Sequence, residues 1–206
     1  KVILEISGTP EGVLPEALLY IRIYLKMSMN KKIFWKYRGG KNMQYEFKTD
    51  LKQGEFDEFV KNHEYCNLLQ SYNWAKVKNN WDHLYTGVYK DGNLVATGLV
   101  LIKRLPLTFC MYYLPRGPIM DYKDKELVQY YFEQLKKVAK KDHCIFIKFD
   151  PAIHVNDYDS KSYNTNRYED TDTYLEIFKS CKAVHHGYTM SIADTVQPRF
   201  QSNVYA

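Results

Sequence analysis

The stretch that decides the fold is YLPRGPIMDYKDKELVQYYFEQLKKVAKKDHCIFIKFDP, residues 113–151. Its middle part, KDKELVQYYFEQLKKVAKKD, repeats apolar residues at helical spacing, with acidic residues early and lysines late, as the helix dipole favours. The apolar run TFCMYYLP before it reads as a strand that ends at its proline, and CIFIKFDP after it is typical of a central strand. A strand, an amphipathic helix and a second strand predict an α/β layer.

A hairpin precedes this unit. The β-prone runs HLYTGVYK and NLVATGLVLIKR are joined at Lys90-Asp91-Gly92-Asn93, and Asp-Gly between two such runs is a strong hairpin signal. Because the strands of a hairpin run antiparallel, the sheet is predicted to be mixed rather than purely parallel.

Two helices are predicted upstream of the hairpin. DLKQGEFDEFVKNHE places apolar residues at helical spacing, and NLLQSYNWAKVKNNW predicts a second, short helix. We expect Leu69, Trp74 and Val77 to be the buried set of that short helix.

Downstream of Pro151 the pattern is more polar. The segment His154–Asp172, rich in Asn, Asp, Ser and Tyr, predicts a loop. YLEIFKSCKAVHHGYT predicts a helix that ends near Gly187, and TVQPRFQSNVYA predicts the start of another strand.

Residues 1–42 differ in texture from the rest. They run into the basic, glycine-containing KYRGGKNM, whose last residue is Met43. Two interpretations stay open: a genuine amphipathic N-terminal helix, or translation from Met43 with the preceding codons serving as a purine-rich ribosome-binding site.

Composition is that of a globular protein, with 45% hydrophobic and 26% charged residues. The net charge of +5 is compatible with phosphate-bearing partners such as tRNA or an anionic membrane surface. The four cysteines are widely spaced without a CxxC pair, which favours reduced thiols, and Cys144 in particular is expected to be a small buried hydrophobe. No stretch predicts a transmembrane span or a signal peptide.

Two positions are candidates for chemistry. Lys78 follows Trp74 by one helical turn, so an anchored aromatic would aim its ammonium at a phosphate; the alternative is a solvated lysine. Asp150 ends a strand, where open α/β sheets place ligands; the alternative is a turn or helix cap before Pro151. Arg116 is expected mainly to pin the corner after its strand, by hydrogen bonds to carbonyls or to Asp121, with substrate binding as a second role.

Three segments together resemble the Fem family: LLQSYNWAKVKNNW, the stretch from Leu114 to Pro151, and GYTMSIADTVQPRFQSNVY. These enzymes are aminoacyl-tRNA-dependent transferases that build peptidoglycan cross-bridges in Gram-positive bacteria, and the streptococcal Mur-type branch is most similar. The resemblance implies a GNAT-like first domain at residues 43–190 and a truncated second one at 191–206, with residues 1–42 outside the family pattern.

The resemblance also implies a function. Such enzymes transfer an amino acid from charged tRNA to the stem-peptide amine of a lipid II or UDP-linked muropeptide precursor. They need no cofactor beyond the aminoacyl-tRNA co-substrate. At the position of Lys78 they carry a lysine that contacts the precursor's diphosphate, and at Asp150 an aspartate near the reacting centre. We expect a cytoplasmic protein, with peripheral contact with the inner membrane surface left open.

The sequence departs from the family pattern in two ways. Ile145 stands where at least one member has a substrate-contacting tyrosine, and the chain ends before most of the second domain, so this polypeptide by itself is expected to lack one wall of the cleft. Two other functions stay open: an acyl-CoA-dependent N-acetyltransferase, and an inactive fragment that binds tRNA or a membrane. The turn that cradles acyl-CoA pyrophosphate, Q/R-x-x-G-x-G/A, does not occur in the sequence.

Overall fold

A computed structural model of the chain describes residues 2–5, 45–158 and 165–185. Seven of its strands form one continuous sheet in the order β10-β1-β7-β5-β4-β3-β2, β6 pairs with β4, and β8 and β9 pair with each other. The strands are β1 Val2–Glu5, β2 Tyr45–Lys48, β3 Asp82–Lys90, β4 Asn93–Arg104, β5 Cys110–Arg116, β6 Ile119–Met120, β7 Cys144–Pro151, β8 Asn156–Tyr158, β9 Thr165–Arg167 and β10 Ala183–His185.

Helices cover both faces of the large sheet. They are α1 Gln53–Asn62, a 3-10 turn Leu68–Gln70, α2 Trp74–Val77, α3 Lys125–Lys141 and α4 Asp170–Ser180. The side chain of Asp124 caps α3 by accepting a hydrogen bond from the Leu127 N–H at 3.0 Å. The acidic first turn and the lysines of the last turn of α3 complement the helix dipole.

The predicted hairpin is confirmed. β3 and β4 pair antiparallel over their length, and Asp91 and Gly92 between them have φ of 50° and 83°. Two successive residues in the left-handed region match the twist of paired strands, which is why Asp-Gly suits this turn.

The predicted strand–helix–strand unit is confirmed as well. β5 and β7 run parallel, so the sheet is mixed, and their register pairs Pro115 with Asp150 and Arg116 with Pro151. The first of these strands does not stop at its proline, since it includes Arg116. Pro115 is tolerated because β4 pairs with β5 only as far as Leu101 opposite Tyr113, so the β4 side of Pro115 has no ladder bond to lose.

The sheet has an apolar cluster on each face. One lies under α3 and α4 and contains Tyr112, Leu114, Ile147 and Phe149 of the parallel pair. The opposite cluster, under α1, the 3-10 turn and α2, contains Phe56, Ala75, Leu99 and Leu101, among others. Alternation along the strands therefore sends Tyr113, Lys148 and Asp150 away from the α3 face.

Three expectations about local structure were wrong. Val77 is exposed (64%) because α2 is a single turn, and Ala75 rather than Val77 faces the core. The segment His154–Asp172 is not all loop, since it contains β8 and β9 and the start of α4. The last helix ends at Ser180 rather than near Gly187, and the apolar residues after it form β10 instead.

Some predictions concern parts of the chain outside the described residues. These are the N-terminal helix or alternative start at Met43, and the strand predicted in TVQPRFQSNVYA. Within residues 1–42, Val2–Glu5 form β1, which pairs antiparallel with β7 and β10. The domain boundaries at 42 and 190 stay predictions.

A buried hydroxyl pair joins α3 to the hairpin and gives the first testable prediction. Tyr131 Oη lies 2.6 Å from Thr86 Oγ1, which donates to the Gly98 carbonyl at 2.8 Å. We expect Thr86→Val to lower the free energy of unfolding by about 1–3 kcal/mol, because it leaves the Tyr131 hydroxyl buried without this partner. Tyr131→Phe should cost less, since Thr86 keeps the Gly98 bond. Urea unfolding measures both, and an equal or smaller loss in Thr86→Val would contradict the prediction.

Candidate active site

Asp150 lies at the carboxyl end of β7, and two groups of β5 hold its carboxylate. The Arg116 backbone N–H donates to Oδ1 at 2.9 Å, and Tyr113 Oη donates to Oδ2 at 3.0 Å. Both contacts follow from the parallel register, which places the two strand ends side by side. Arg116 has a φ of 55°, so the chain turns out of the sheet at the residue whose N–H the carboxylate binds.

The pKa of Asp150 is raised, chiefly because burial disfavours the charged form. The hydrogen bonds from Arg116 and Tyr113, and the positive charges of Arg116 and Lys148, oppose this shift without cancelling it. Lys148 is itself buried, and its Nζ lies 4.6 Å from the centre of the Tyr113 ring. The corner therefore holds an acid, a phenol and a cation within one small polar cluster.

Gln70 fixes the same corner from the other side. It is fully buried, its Nε2 donates to the carbonyls of Pro115 at 2.7 Å and Leu99 at 3.3 Å, and its Oε1 accepts from the Leu99 N–H at 2.8 Å. The side-chain amide thus takes the place of a strand neighbour at Leu99, between the part of β4 that pairs with β6 and the part that pairs with β5. A Cβ at Gly117 would lie 2.4 Å from Gln70 Cδ, so only glycine leaves room for this amide.

Trp74 and Lys78 form a second pair, on α2. Trp74 is half-buried and packs on the apolar cluster under α1 and α2, whereas Lys78 is exposed at the helix end. Lys78 Nζ lies 5.9 Å from the centre of the Trp74 ring, and its backbone N–H donates to the Trp74 carbonyl at 3.1 Å. The predicted arrangement of a cation beside an anchored aromatic is present.

The four predicted site residues therefore lie in two pairs: Asp150 with Arg116, and Lys78 with Trp74. Gln70 links the two pairs. It ends the 3-10 turn that α2 follows after three residues, and its side-chain amide binds the Pro115 carbonyl beside Arg116. Arg116 was expected to pin the corner by hydrogen bonds to carbonyls or to Asp121, and this stays a prediction for its side chain; its backbone N–H donates to Asp150. Asp121 Oδ1 accepts from the Lys123 N–H at 2.8 Å.

Sequence reasoning missed Gln70, Tyr113 and Lys148. The signal for Lys148 was available, since it lies two residues before Asp150 and so shares its strand face. Tyr113 lies opposite Lys148 across the parallel pair, which a correct register would have revealed. The burial of Gln70 could not be read from a short polar segment.

Neither the open groove on the described surface nor a metal site coincides with these pairs. An open groove of about 730 Å³ runs along the solvent side of α4, lined by residues such as Lys125, Asp172 and Glu176, and none of the predicted site residues lines it. Among residues 2–5, 45–158 and 165–185 there is no group of three or more His, Cys, Asp or Glu able to hold a metal ion. The helices within these ranges are too short or too polar to cross a bilayer.

The arrangement supports two kinds of chemistry. A half-buried carboxylate with a raised pKa, held by two donors, can orient an amine or accept its proton. An exposed ammonium anchored on a tryptophan can bind a phosphate. Cys144, by contrast, is buried and its pKa is raised by burial, so it is the small hydrophobe that its sequence predicts.

Comparison with known proteins identifies a family and several relatives. The model of the FemAB family matches residues 51–206. The chain is 31% identical over 159 residues to the lipid II:glycine glycyltransferase of Staphylococcus haemolyticus, covering 74% of this chain and 34% of that protein. It is 32% identical over 160 residues to the aminoacyltransferase FemB of Staphylococcus epidermidis, covering 74% of this chain and 37% of that protein.

A solved structure is similar too. The crystal structure of FemX superposes with a TM-score of 0.54 at 29% identity, covering 66% of this chain and 31% of that chain. The expected mixed α/β fold is confirmed by this match and by the sheet topology. The chain spans about a third of the length of the curated relatives it matches.

The raised pKa of Asp150 predicts how stability changes with pH. Because its folded pKa lies above the unfolded value, the folded state holds the proton more tightly, and the stability this contributes is lost as pH rises through the folded pKa. We expect the free energy of unfolding of the wild type, relative to Asp150→Asn, to fall as pH rises from below the ordinary aspartate pKa to neutrality. Urea unfolding at stepped pH measures this difference, and a difference that grows with pH would contradict it.

Proposed function

The chain belongs to the FemAB family, and from this premise we propose that it is part of an aminoacyltransferase that builds the interpeptide bridge of peptidoglycan. It would add an amino acid to the stem-peptide amine of a lipid II-type precursor. The names of two relatives, a lipid II:glycine glycyltransferase and an aminoacyltransferase, support the precursor and the transfer. The observation that carries the proposal is the Asp150 carboxylate, held by Arg116 and Tyr113 at the carboxyl ends of two parallel strands. Open α/β sheets bind their ligands at such ends.

The proposed donor is an aminoacyl-tRNA, and the reaction is aminolysis of its ester. The stem-peptide amine attacks the aminoacyl carbonyl and a tetrahedral oxyanion forms. The C–O bond to the ribose then breaks, the amine loses a proton, and the ribose oxygen leaves as a hydroxyl. An ester is activated enough that positioning and charge stabilisation supply most of the rate, so no cofactor and no covalent intermediate are invoked.

Asp150 is assigned to the attacking amine. Only the neutral amine is nucleophilic, so a group must orient it and take up its proton. Burial brings the pKa of Asp150 closer to the working pH than that of an exposed aspartate, which improves its efficiency as a base. Tyr113 and the Arg116 N–H fix the two carboxylate oxygens, so the geometry is set before substrate arrives.

Lys78 is assigned to the diphosphate of the precursor. It is exposed and carries a point charge beside the Trp74 ring, which limits the directions in which its ammonium points. In this role Lys78 and Trp74 hold the acceptor and do not react. Arg116 serves the corner through its backbone N–H. A lipid-linked acceptor would place the enzyme at the cytoplasmic face of the membrane, whereas a UDP-linked acceptor would not require this.

An acyl-CoA N-acetyltransferase is the main alternative on this fold, and the helix after the corner disfavours it. Such enzymes bind pyrophosphate at a helix N-terminus. Here the Asp124 carboxylate occupies the N-terminus of α3, with Glu126 in its first turn, and both would repel a pyrophosphate. Acetyl-CoA turnover distinguishes the two functions. A fragment that only binds tRNA or a membrane would give salt-dependent RNA or vesicle binding without transfer.

Replacement of Asp150 tests its catalytic role. In a version of the chain extended to the length of its relatives, we expect Asp150→Asn to lower kcat by about 10²–10⁴-fold, the usual contribution of a general base, with little change in KM for the precursor. The assay follows transfer of a labelled amino acid from aminoacyl-tRNA. Asp121→Asn, an exposed aspartate of the same corner, is the matched control and should keep wild-type kcat. Equal activity of the two variants would remove Asp150 from the reaction.

Replacement of Lys78 tests the diphosphate site. We expect Lys78→Ala to weaken binding of a UDP-linked muropeptide by about tenfold, since one charge-assisted contact is lost at an exposed site. Lys76→Ala removes an equal charge from the same exposed turn and should have a much smaller effect. Calorimetry at fixed ionic strength measures both, and unchanged affinity in Lys78→Ala would contradict the assignment.

A further inference from the structure

One peptide group is held at both of its polar ends by the two side chains that flank the corner. The carbonyl of Pro115 accepts from Gln70 Nε2 at 2.7 Å, and the N–H of Arg116 donates to Asp150 Oδ1 at 2.9 Å. These two atoms belong to the same peptide unit. Because its C=O and N–H point in opposite directions, Gln70 and Asp150 lie on opposite sides of it.

We propose that Gln70 is a positioning residue that acts on the Asp150 carboxylate through the single peptide group between Pro115 and Arg116. A donor at the carbonyl oxygen polarises the peptide and makes its N–H a stronger donor, so each bond in the chain strengthens the next. The catalytic part of this inference rests on the proposed function, in which Asp150 orients the attacking amine.

The surroundings of Gln70 favour a specific role over simple space filling. Its amide is bound at both ends to the backbone of Leu99 and at the Nε2 end to Pro115, in a site with no solvent exposure. An apolar side chain would fill the same volume but leave those buried backbone groups without this partner, which would lower the stability of the fold. Gly117 keeps the space that the amide occupies.

Several other groups around Asp150 also influence its pKa. Tyr113 and Arg116 reach it from β5, Lys148 from its own strand, and Tyr122, which follows the corner, is close enough for its own pKa to be raised partly by the Asp150 charge. A substitution of Gln70 replaces none of these residues. A shift in the pKa of Asp150 in that variant is therefore assigned to the peptide group between Gln70 and the carboxylate.

The experiment is an NMR titration of the chain itself, without substrate. We expect Gln70→Met to raise the pKa of Asp150 by about 0.2–0.5 unit, the size expected when one bond of a hydrogen-bond chain is removed, and to move the Arg116 amide proton upfield. Gln129→Met is the matched control: its Nε2 donates to the exposed Ser180 hydroxyl at 2.9 Å, and the change should leave both signals unchanged. Tyr113→Phe, which removes a direct donor, calibrates the response by raising the same pKa.

A second variant and a measurement on the wild type keep the proposal testable even if Gln70→Met fails to fold. Gly117→Ala displaces the Gln70 amide without removing it and should raise the Asp150 pKa as Gln70→Met does. In the unaltered chain, scalar couplings across the hydrogen bonds should connect Gln70 Nε2 to the Pro115 carbonyl carbon, and the Arg116 nitrogen to the Asp150 carboxyl carbon. Absence of these couplings, or an Asp150 pKa that matches the Gln129→Met control in both variants, overturns the proposal.

The outcomes separate this inference from the proposed function. If Gln70→Met shifts the titration while Asp150→Asn retains full transfer, the coupling stands and the catalytic assignment fails. If Asp150→Asn abolishes transfer while the titration is unmoved by changes at Gln70, the catalytic assignment stands and the coupling fails.

Discussion

The parallel pairing of β5 with β7 is the constraint on which the rest of the site depends. It sets Pro115 beside Asp150 and Arg116 beside Pro151, so a strand end that must turn lies next to a strand end that carries a carboxylate. The turn takes the N–H of Arg116 out of the strand ladder, and an N–H that is shielded from water requires an acceptor. Asp150 supplies it, and this bond then fixes the carboxylate, so one contact serves both the fold and the proposed chemistry.

The 3-10 turn and α2, on the sheet face opposite α3, connect the two pairs of site residues. The 3-10 turn inserts Gln70 at Leu99, where β4 pairs with β3 on one side and, among the described strands, has no neighbour on the other. The short α2 that follows carries Trp74 and Lys78. The element proposed to hold the acceptor's diphosphate is thereby attached to the corner proposed to receive its amine. Polar groups buried at such a junction cost stability unless all are paired, which the hydrogen bonds of Gln70 achieve locally.

Much of the fold was predictable because its signals are local. The Asp-Gly turn, the dipole-matched helix α3 and the apolar run of β7 each carry their own periodicity or turn chemistry. Asp150 and Lys78 were found from strand-end and helical spacing, although their roles came from the family resemblance. Gln70, Tyr113 and Lys148 were missed because their importance depends on register and on contacts between distant segments. Val77 was misplaced because a single helical turn offers too few residues for a periodic pattern to identify its buried side.

The central claim is that a diphosphate-bearing cell-wall precursor binds across both pairs, Lys78 with Trp74 and Asp150 with Arg116. Titration of the labelled chain with a UDP-linked muropeptide, followed by NMR, tests it most directly. The account predicts that the Trp74 indole and the Arg116 amide signals shift together, with one dissociation constant. Saturable shifts confined to other surfaces, such as the groove along α4, with both of these signals unmoved, would contradict it.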